Sequence, residues 1–440
     1  MTATLLFPDW LLYSADEAPR QGWGLAVAEG RVAALGPRAE LQRQYPDAEV
    51  IDASGRALVP GFVNAHHHMY AVLAHGIPLE HAPSDFWAFL GEFWWPKMED
   101  ALTHKLIAAS TEWACLEMVR SGVTTFYDCL EAPRALPGCL EVEAEVVRRW
   151  GLRGILSFEA TQRLSKENGQ LGLRENADFV DSSRQCGGLV SGMICYHTTF
   201  TCDKGFIRQA FDMAAEREAM IQMHCAESRH EPEWCLEHYG KPPIEVYADW
   251  GVLGPRMLAA QCVQITPGEV DLLAANDVKA SHMPLSNGGF GCGIAPVPEM
   301  LSAGVTMGLG TDGYVNNYLA LMRGALLIHR ARLEDSGSMA ARAVWRMATR
   351  GGAKALGLHD VGTLRPGFSA DLVLIDADLP TPLSAGNFFD QLLLWRDPQH
   401  VDAVMCAGQW LVRDGEILGV DEPAVRARCR QAARALWANA

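Results

Sequence analysis

Three consecutive histidines, His66, His67 and His68, end the apolar stretch PGFVNA. If this stretch is a β-strand, its side chains alternate between two faces, so His66 and His68 point one way and His67 points the other. Neutral imidazoles are the commonest nitrogen ligands of metal ions in proteins. Two imidazoles aimed at one point predict half of a metal site, and a surface histidine cluster is the alternative.

Two residues far along the chain could complete such a site. His224 in MHCAE would add a third nitrogen, and Asp312 in GLGTDG would add a carboxylate oxygen. This set of ligands suits zinc or another borderline divalent cation and leaves a position open for chemistry. Taken singly, His224 also fits a packed histidine and Asp312 a loop aspartate, so the prediction depends on all the residues jointly.

The candidate ligands share one position, because each follows a short apolar run. Between about residues 60 and 360 such runs alternate with helical stretches, for example residues 104–122 and 204–219. This alternation predicts βα units around a parallel sheet. In a (β/α)8 barrel the carboxyl ends of the strands converge on one face, which would bring distant residues together. We therefore predict a (β/α)8 TIM barrel as the catalytic domain, over residues 60–363.

The two ends of the chain carry a different pattern of short strands bounded by glycine and proline. Examples are GRALVPG before the histidines and SADLVLIDAD near the carboxyl end. We predict that residues 1–59 and 364–440 pair into one small β domain, a β-sandwich, beside the barrel. The 440 residues are enough for both units.

The composition narrows the class of partner. Hydrophobic residues make up 49% of the chain, as in a soluble globular protein, and the net charge is -16. That charge disfavours nucleic acid or an anionic membrane and favours a small neutral or cationic ligand. We find no signal-peptide pattern and no apolar run long enough to cross a bilayer, so we expect a cytoplasmic location. The 12 cysteines include no close CxxC pair, so we expect free thiols.

Four motifs resemble the amidohydrolase superfamily: PGFVNAHHH, HCAE, residues 281–313 and RPGFSADLVLIDAD. More narrowly, the chain is similar to the branch that contains S-adenosylhomocysteine deaminases and triazine (atrazine-type) chlorohydrolases. The resemblance implies one divalent metal ion, zinc or alternatively iron, manganese or cobalt, bound by His66, His68, His224 and Asp312. No lysine at a strand end of the middle region offers a bridge to a second ion. A homo-oligomer is compatible with the resemblance.

The resemblance also implies a reaction. Glu227, three residues after His224, would move a proton from the attacking water to the leaving nitrogen, and Asp312 would share the proton transfer. The expected activity is deamination of a heterocyclic base, a nucleoside or a related amine. Hydrolysis of a C–Cl, amide or carbamate bond is one alternative, and a metal-containing ligand-binding protein without activity is another. For Glu227 alone, a solvated acid at a helix start is the alternative.

Three features near the expected site concern the substrate. His197 corresponds to a histidine that relatives place against the substrate ring, although a core histidine is equally compatible. Glu99 aligns with a glutamate that nucleoside-deaminating relatives use to hold ribose hydroxyls, and a helix-start acid is the alternative. The aromatic segment 85–95 is expected to wall an apolar pocket for a planar ligand or to pack under a loop.

One stretch departs from the family pattern. Relatives usually carry AHCVH after the HxxE element, whereas this chain has AAQCVQ, with Gln261 and Gln264 in place of both histidines. Glutamine donates and accepts hydrogen bonds but carries no proton near neutral pH. We therefore expect Gln261 to orient water or hold a substrate carbonyl, and Glu227 and Asp312 to carry out all proton transfer.

Overall fold

The structure is a computed structural model that describes residues 3–79 and 81–438. Its strands are β1 (Thr4–Leu11), β2 (Arg20–Gln21), β3 (Trp23–Ala28), β4 (Arg31–Pro37), β5 (Glu49–Pro60), β6 (Phe62–His67), β7 (Val123–Leu130), β8 (Arg153–Phe158), β9 (Val190–Gly192), β10 (Ile194–Cys195), β11 (Ile221–Cys225), β12 (Met257–Gln261), β13 (Lys279–His282), β14 (Met307–Leu309), β15 (Leu372–Asp376), β16 (Val401–Cys406), β17 (Gln409–Arg413) and β18 (Glu416–Ile417).

The helices alternate with the strands of the middle region. They are α1 (Arg38–Gln44), α2 (Phe86–Ala88), α3 (His104–Arg120), α4 (Cys139–Trp150), α5 (Lys166–Cys186), α6 (Lys204–Glu216), α7 (His230–Tyr239), α8 (Pro243–Asp249), α9 (Pro267–Ala275), α10 (Pro284–Gly289), α11 (Val297–Ser302), α12 (Tyr318–Leu333), α13 (Ala341–Arg346), α14 (Gly352–Ala355), α15 (Phe388–Trp395) and α16 (Glu422–Trp437). A π-helical turn, Phe89–Met98, continues α2.

The middle region closes into a barrel. Strands β6 to β14 form one parallel sheet in which β14 pairs back with β6 and β8 pairs with β9. Strands β9 and β10 are separated only by Met193 and fill one position, since β10 pairs onward with β11. Eight strand positions therefore close a ring, and the predicted (β/α)8 barrel is confirmed.

Burial explains why these strands are apolar. Every residue of β6, β7 and β12 is buried, because one face of each strand fills the barrel and the other lies under helices. The helices begin at side chains that cap their free amide groups. Thr103 accepts a hydrogen bond from the amide of Leu106, and Thr266 and Glu269 form a reciprocal capping box.

Both ends of the chain meet in a second sheet. Strand β15 pairs antiparallel with β5, from Leu372 opposite Pro60 to Asp376 opposite Arg56. This pairing joins β1 to β5 with β15 to β18, so the small β domain is built from both ends as predicted. The limits of residues 1–59 and 364–440 for this domain remain a proposal.

The last helix, α16, lies against the barrel. The indole nitrogen of Trp437 donates to the carbonyl of Leu73 at 2.6 Å, and Arg428 pairs with Glu112 of α3 at 2.7 Å. The strand patterns at the end of the chain did not predict this contact. No helix in the described ranges has the length and hydropathy needed to span a bilayer.

Candidate metal centre and active site

The histidines at the end of β6 diverge as their alternation predicts. His66 and His68 point to the mouth of the barrel, with their Nε2 atoms 3.2 Å apart. His67 faces the other way, and its Nδ1 lies 2.8 Å from the backbone carbonyl of Asp312. Strand β6 and the residues that follow β14 can approach each other this closely because residue 310 is glycine. A Cβ there would lie 2.7 Å from the Cβ of His66.

His224, at the end of β11, completes a cluster of three imidazoles. Its Nε2 lies 3.3 Å from Nε2 of His68. The three residues are buried, and one ring nitrogen of each lies within 4.8 Å of the others. Burial lowers the pKa of His66 and His68, so both rings are neutral and each offers a lone pair.

Asp312 follows β14 and brings a carboxylate to the same point. Its Oδ1 lies 3.4 Å from Nε2 of His68 and 3.9 Å from Nε2 of His66. Burial opposes ionisation of this carboxyl group, whereas positive charge at His68 and His66, when these rings are protonated, and a hydrogen bond from Ser286 lower its pKa. The structure thus brings together the four residues that the sequence predicts as metal ligands.

The spacing of these atoms fits a divalent ion. When one ion is five-coordinate with ligand distances of about 2.05 Å, neighbouring ligand atoms lie about 2.9 to 3.6 Å apart, and four protein ligands leave one position for water. Three of the separations, 3.2, 3.3 and 3.4 Å, fall in that range. Three imidazoles and one carboxylate are a donor set that suits zinc, iron, manganese or cobalt.

Two further groups fix the orientation of the imidazoles. Nδ1 of His68 lies 2.6 Å from the carbonyl oxygen of Cys129, and Nδ1 of His224 lies 2.5 Å from Oε1 of Glu159. A proton held at Nδ1 leaves Nε2 free for a metal ion. Burial disfavours protonation of His224, but the Glu159 carboxylate outweighs burial and raises the pKa of His224 to about 10. A metal ion at Nε2 would therefore have to displace a proton from that nitrogen.

Sequence reasoning missed Glu159. It directly follows β8, whose apolar sequence is ILSF, so it carries the signal that identified the other residues: a polar side chain at a strand end. Glu159 is 2% exposed and lines the same cavity as the histidines.

Glu227 lies two residues beyond β11 and also lines this cavity. Its side chain keeps some exposure, yet its carboxyl group is shielded enough that burial raises its pKa to about 8, and the charge of Asp312 contributes. Such a pKa suits a group that takes up and releases a proton near neutral pH.

His197 lies beside the cluster. Its Nδ1 is 2.9 Å from the hydroxyl of Thr201, and its ring centroid is 5.6 Å from that of His224. Burial lowers its pKa to about 3, so the ring is neutral. It lines the cavity, as expected of a residue that contacts the substrate.

Glu99 also lines the cavity, but its carboxylate already has protein partners. It accepts hydrogen bonds from the hydroxyl of Tyr70 at 2.9 Å and from Nη2 of Arg163 at 3.2 Å. Burial, reinforced by the nearby Glu131, raises the pKa of Glu99 well above its usual range. The predicted contact with substrate hydroxyls remains a proposal.

Gln261 has a different environment from the one expected. Its Nε2 donates to Oδ2 of Asp312 at 2.8 Å, and its Oε1 accepts from Asn287 at 2.5 Å. Gln261 is not part of the cavity lining, so the geometry favours a residue that positions Asp312 over one that binds substrate. Gln264 donates to the backbone carbonyl of Cys292 at 2.5 Å.

Aromatic rings form much of the cavity wall, and the segment 85–95 supplies most of them. The cavity is narrow, with a volume of about 50 Å³. Its aromatic lining residues, apart from the histidines, are Tyr70, Phe86, Phe89, Trp94, Trp95 and Phe290. Of the two structures expected for this segment, a pocket wall is the one observed.

Comparisons with known proteins agree with this fold. The family model described as "Amidohydrolase family" matches residues 57–411, and the chain belongs to this family, whose members are metal-dependent hydrolases. A model described as "Imidazolonepropionase-like composite domain, bacteria" matches residues 24–48. The resemblance found in the motifs is thereby confirmed.

Curated relatives extend over nearly the whole chain. A 5-methylthioadenosine/S-adenosylhomocysteine deaminase of Pelotomaculum thermopropionicum is 33% identical over 413 residues, which cover 93% of each chain. A 5'-deoxyadenosine deaminase of Methanothermobacter thermautotrophicus is 34% identical over 405 residues, covering 88% of this chain and 89% of the relative.

Solved structures share the fold at lower identity. A zinc-bound adenosine deaminase from Xanthomonas campestris has a TM-score of 0.89 at 23% identity, with 98% of both chains covered. An atrazine chlorohydrolase from Arthrobacter aurescens, also complexed with zinc, has a TM-score of 0.85 at 21% identity and covers 98% of this chain and 100% of its own.

Proposed function

We propose that this protein deaminates a planar heterocyclic amine of the nucleoside type, using one divalent metal ion, zinc in the first instance. The observation that carries the proposal is the convergence of His66, His68, His224 and Asp312 beside Glu227 in an aromatic cavity. The deaminases that are 33% and 34% identical to the chain support the choice of reaction.

A divalent ion bound by the four ligands supplies the Lewis acidity that makes water nucleophilic near neutral pH. Water attacks the ring carbon that carries the amino group, the C–N bond breaks, and ammonia leaves. Glu227 takes a proton from the attacking water and delivers it to the leaving nitrogen. Asp312 assists as a hydrogen-bond acceptor, and Ser286 and Gln261 hold its second oxygen at 2.6 and 2.8 Å.

The remaining residues orient the substrate. His197, held through Nδ1 by Thr201, presents its neutral ring to the cavity and can form a hydrogen bond with a ring nitrogen or carbonyl. The aromatic side chains of segment 85–95 offer flat apolar faces on which a planar heterocycle stacks. These contacts exclude water from the face of the substrate ring that stacks on the aromatic side chains.

The proposal is tested with metal-loaded protein on a panel of adenosine-type amines, other heterocyclic amines, a chlorotriazine and simple amides. We expect ammonia release from at least one amine. Chloride release from the triazine alone, or acid release from amides alone, would assign the protein to one of the alternative hydrolytic reactions.

We expect the Glu227→Gln variant to lose activity by a factor of about 10² to 10⁴, the usual contribution of general acid–base catalysis. Its metal content should stay at the wild-type level, because Glu227 is not among the four ligands. Glu237→Gln, which changes an exposed acid on α7, is the matched control and should keep full activity. If turnover by Glu227→Gln equals that of the wild type, the catalytic role of Glu227 is withdrawn.

A further inference from the structure

The two glutamines that depart from the family pattern both contact one segment of the chain. Gln261 ends strand β12, and its Oε1 accepts a hydrogen bond from Nδ2 of Asn287 at 2.5 Å. Gln264 follows three residues later, and its Nε2 donates to the backbone carbonyl of Cys292 at 2.5 Å. Asn287 lies in α10, and its backbone carbonyl accepts from the amide of Cys292. Both glutamines therefore hold residues 284–292, here called the α10 segment.

The α10 segment reaches the site at two points. The hydroxyl of Ser286 donates to Oδ2 of Asp312 at 2.6 Å. Phe290 lines the cavity, and its ring centroid lies 4.7 Å from that of Phe89 in the aromatic wall. One short segment therefore joins a candidate metal ligand to the wall of the pocket. The two glutamines can control both contacts without lining the cavity themselves.

The hydrogen bonds around Gln261 have a fixed direction. An ionised carboxylate only accepts hydrogen bonds, so the side chain of Gln261 must turn its nitrogen toward Asp312. Its oxygen then faces Asn287, which must donate with its own amide nitrogen. Without that donor, Gln261 could turn over and place its oxygen against the carboxylate oxygen. Asn287 therefore controls the contact between Gln261 and Asp312.

These contacts hold the carboxylate of Asp312 in one orientation. Its Oδ2 accepts from Ser286 and Gln261, while its Oδ1 lies 3.4 Å from Nε2 of His68. The backbone is strained at both ends of this contact, because Gln261 and Asp312 have left-handed conformations with φ of 77° and 59°. Such strain persists only where the surroundings impose it, and it clusters at functional sites. The placement of this carboxylate is therefore imposed by its neighbours.

Resting on the proposed function, we propose that Asn287 and Gln261 are positioning residues of the metal centre. Asn287 fixes the direction of the Gln261 amide, and Gln261 holds Asp312 with Oδ1 toward the imidazole cluster. Gln264 acts at the other end of the α10 segment and keeps Phe290 in the pocket wall. The two departures from the family pattern thus have one explanation, since both glutamines act on the α10 segment and not on the attacking water.

A double-mutant cycle on metal affinity tests the link from Asn287 to Asp312. We expect Gln261→Leu to lower the affinity by about 10 to 100-fold, since it removes a hydrogen-bond donor from a ligand. Asn287→Leu should lower it by about tenfold, but it should have no further effect in the Gln261→Leu background, because Asn287 acts through Gln261. Competition with a chromogenic zinc chelator measures each affinity. Losses that multiply in the double variant, or no loss in either single variant, would overturn the proposal.

Two further variants separate positioning from a loss of packing. Asn287→Asp keeps the shape of the side chain but removes its N–H donor, so we expect it to lower metal affinity at least as much as Asn287→Leu, and it keeps the test available if the leucine variants do not fold. Asn316→Leu is the matched control and should keep the wild-type affinity. Nδ2 of Asn316 also donates to a carboxylate, Oε2 of Glu117 at 2.7 Å, and, as in Asn287, its Oδ1 is buried without a hydrogen-bond partner in the described part of the chain. Wild-type affinity in Asn287→Asp, or an equal loss in Asn316→Leu, would contradict the positioning role.

Gln264→Leu should act on the substrate and not on the metal. We expect it to raise KM by about fivefold, the worth of one hydrogen bond, with metal affinity unchanged. Steady-state kinetics at saturating metal, on an amine that releases ammonia, measures this change. A loss of metal affinity as large as that of Gln261→Leu would show that the two glutamines have no separate roles, and the proposal would be wrong.

The metal measurements need no substrate, so they separate this proposal from the proposed function. Ammonia release together with independent losses in the cycle would contradict the positioning role alone. No ammonia from any amine of the panel, together with the non-additive losses described above, would contradict the deaminase and support the positioning role. Wild-type protein that takes up no metal would overturn the positioning role as well.

Discussion

We infer that Glu159 supports the proposed metal centre through His224. Its carboxylate lies 2.5 Å from Nδ1 of His224, and the opposite nitrogen of that ring faces His68. A carboxylate in this position fixes the ring and makes it a stronger electron donor.

Replacing Glu159 by glutamine should therefore weaken metal binding. We expect Glu159→Gln to lower metal affinity by about 10 to 100-fold, the usual effect of losing such a partner. Competition with a chromogenic chelator measures the change, and Glu237→Gln serves as the control. An affinity equal to that of the wild type would show that Glu159 does not support His224.

The ligand residues were predictable because histidine and aspartate are strong ligand types and each followed an apolar run. The role of Gln261 was not predictable in the same way. Gln261 adopts a left-handed backbone conformation with φ of 77°, and its amide is shared between Asp312 and Asn287. Contacts of this kind join residues from different strands, and their spacing in the sequence does not determine them.

At the scale of elements, a buried pair of acids joins strand β7 to helix α4. Asp128 of β7 and Glu143 of α4 are both 0% exposed. Burial raises the pKa of Asp128 to about 7 and that of Glu143 well above its usual range. The folded protein therefore holds protons that the unfolded chain releases at the same pH.

This pair should make stability depend on pH. Because both folded-state pKa values are raised, its contribution is fully present below about pH 4 and is lost as pH rises through about 7. We expect the free energy of unfolding to be larger at pH 5.5 than at pH 8, by up to about 1.4 kcal/mol per pH unit for each proton. Urea unfolding at both pH values measures the difference.

Glu143→Gln should reduce this pH dependence, because the amide cannot ionise. Glu145→Gln, an exposed change on the same helix, should leave it unaltered. Identical pH dependence in the wild type and in Glu143→Gln would contradict the account of the pair.

The order of elements followed from the hydrophobic pattern, whereas the form of segment 85–95 did not. Its aromatic residues fit either a pocket wall or packing under a loop. The wall forms because Phe89 packs against Phe290, with ring centroids 4.7 Å apart. Phe290 directly follows α10 and is therefore far from this segment in the sequence. The sequence of the segment alone does not reveal a packing partner so far along the chain.

At the scale of the whole molecule, α16 secures the turn that follows the histidine ligands. Trp437 donates its indole N–H to the carbonyl of Leu73, which lies five residues after His68. We expect Trp437→Phe to cost about 1–3 kcal/mol of unfolding free energy, since it leaves a carbonyl without its donor. Trp395→Phe, at a position 62% exposed, should stay within about 0.5 kcal/mol of the wild type. Equal stability of both variants would contradict the anchoring role of α16.

The pairing of the two chain ends was predictable from matching strand patterns, and β5 and β15 bear it out. The docking of α16 was not, because a helical pattern near the end of a chain does not indicate the surface against which it packs.

We propose that four side chains from three barrel strands bind one divalent ion. Anomalous diffraction from crystals of metal-loaded protein would locate that ion. We expect one peak per chain, about 2.0–2.2 Å from Nε2 of His66, His68 and His224 and from a carboxylate oxygen of Asp312. The absence of a peak there, or a peak bound by other residues, would contradict the account.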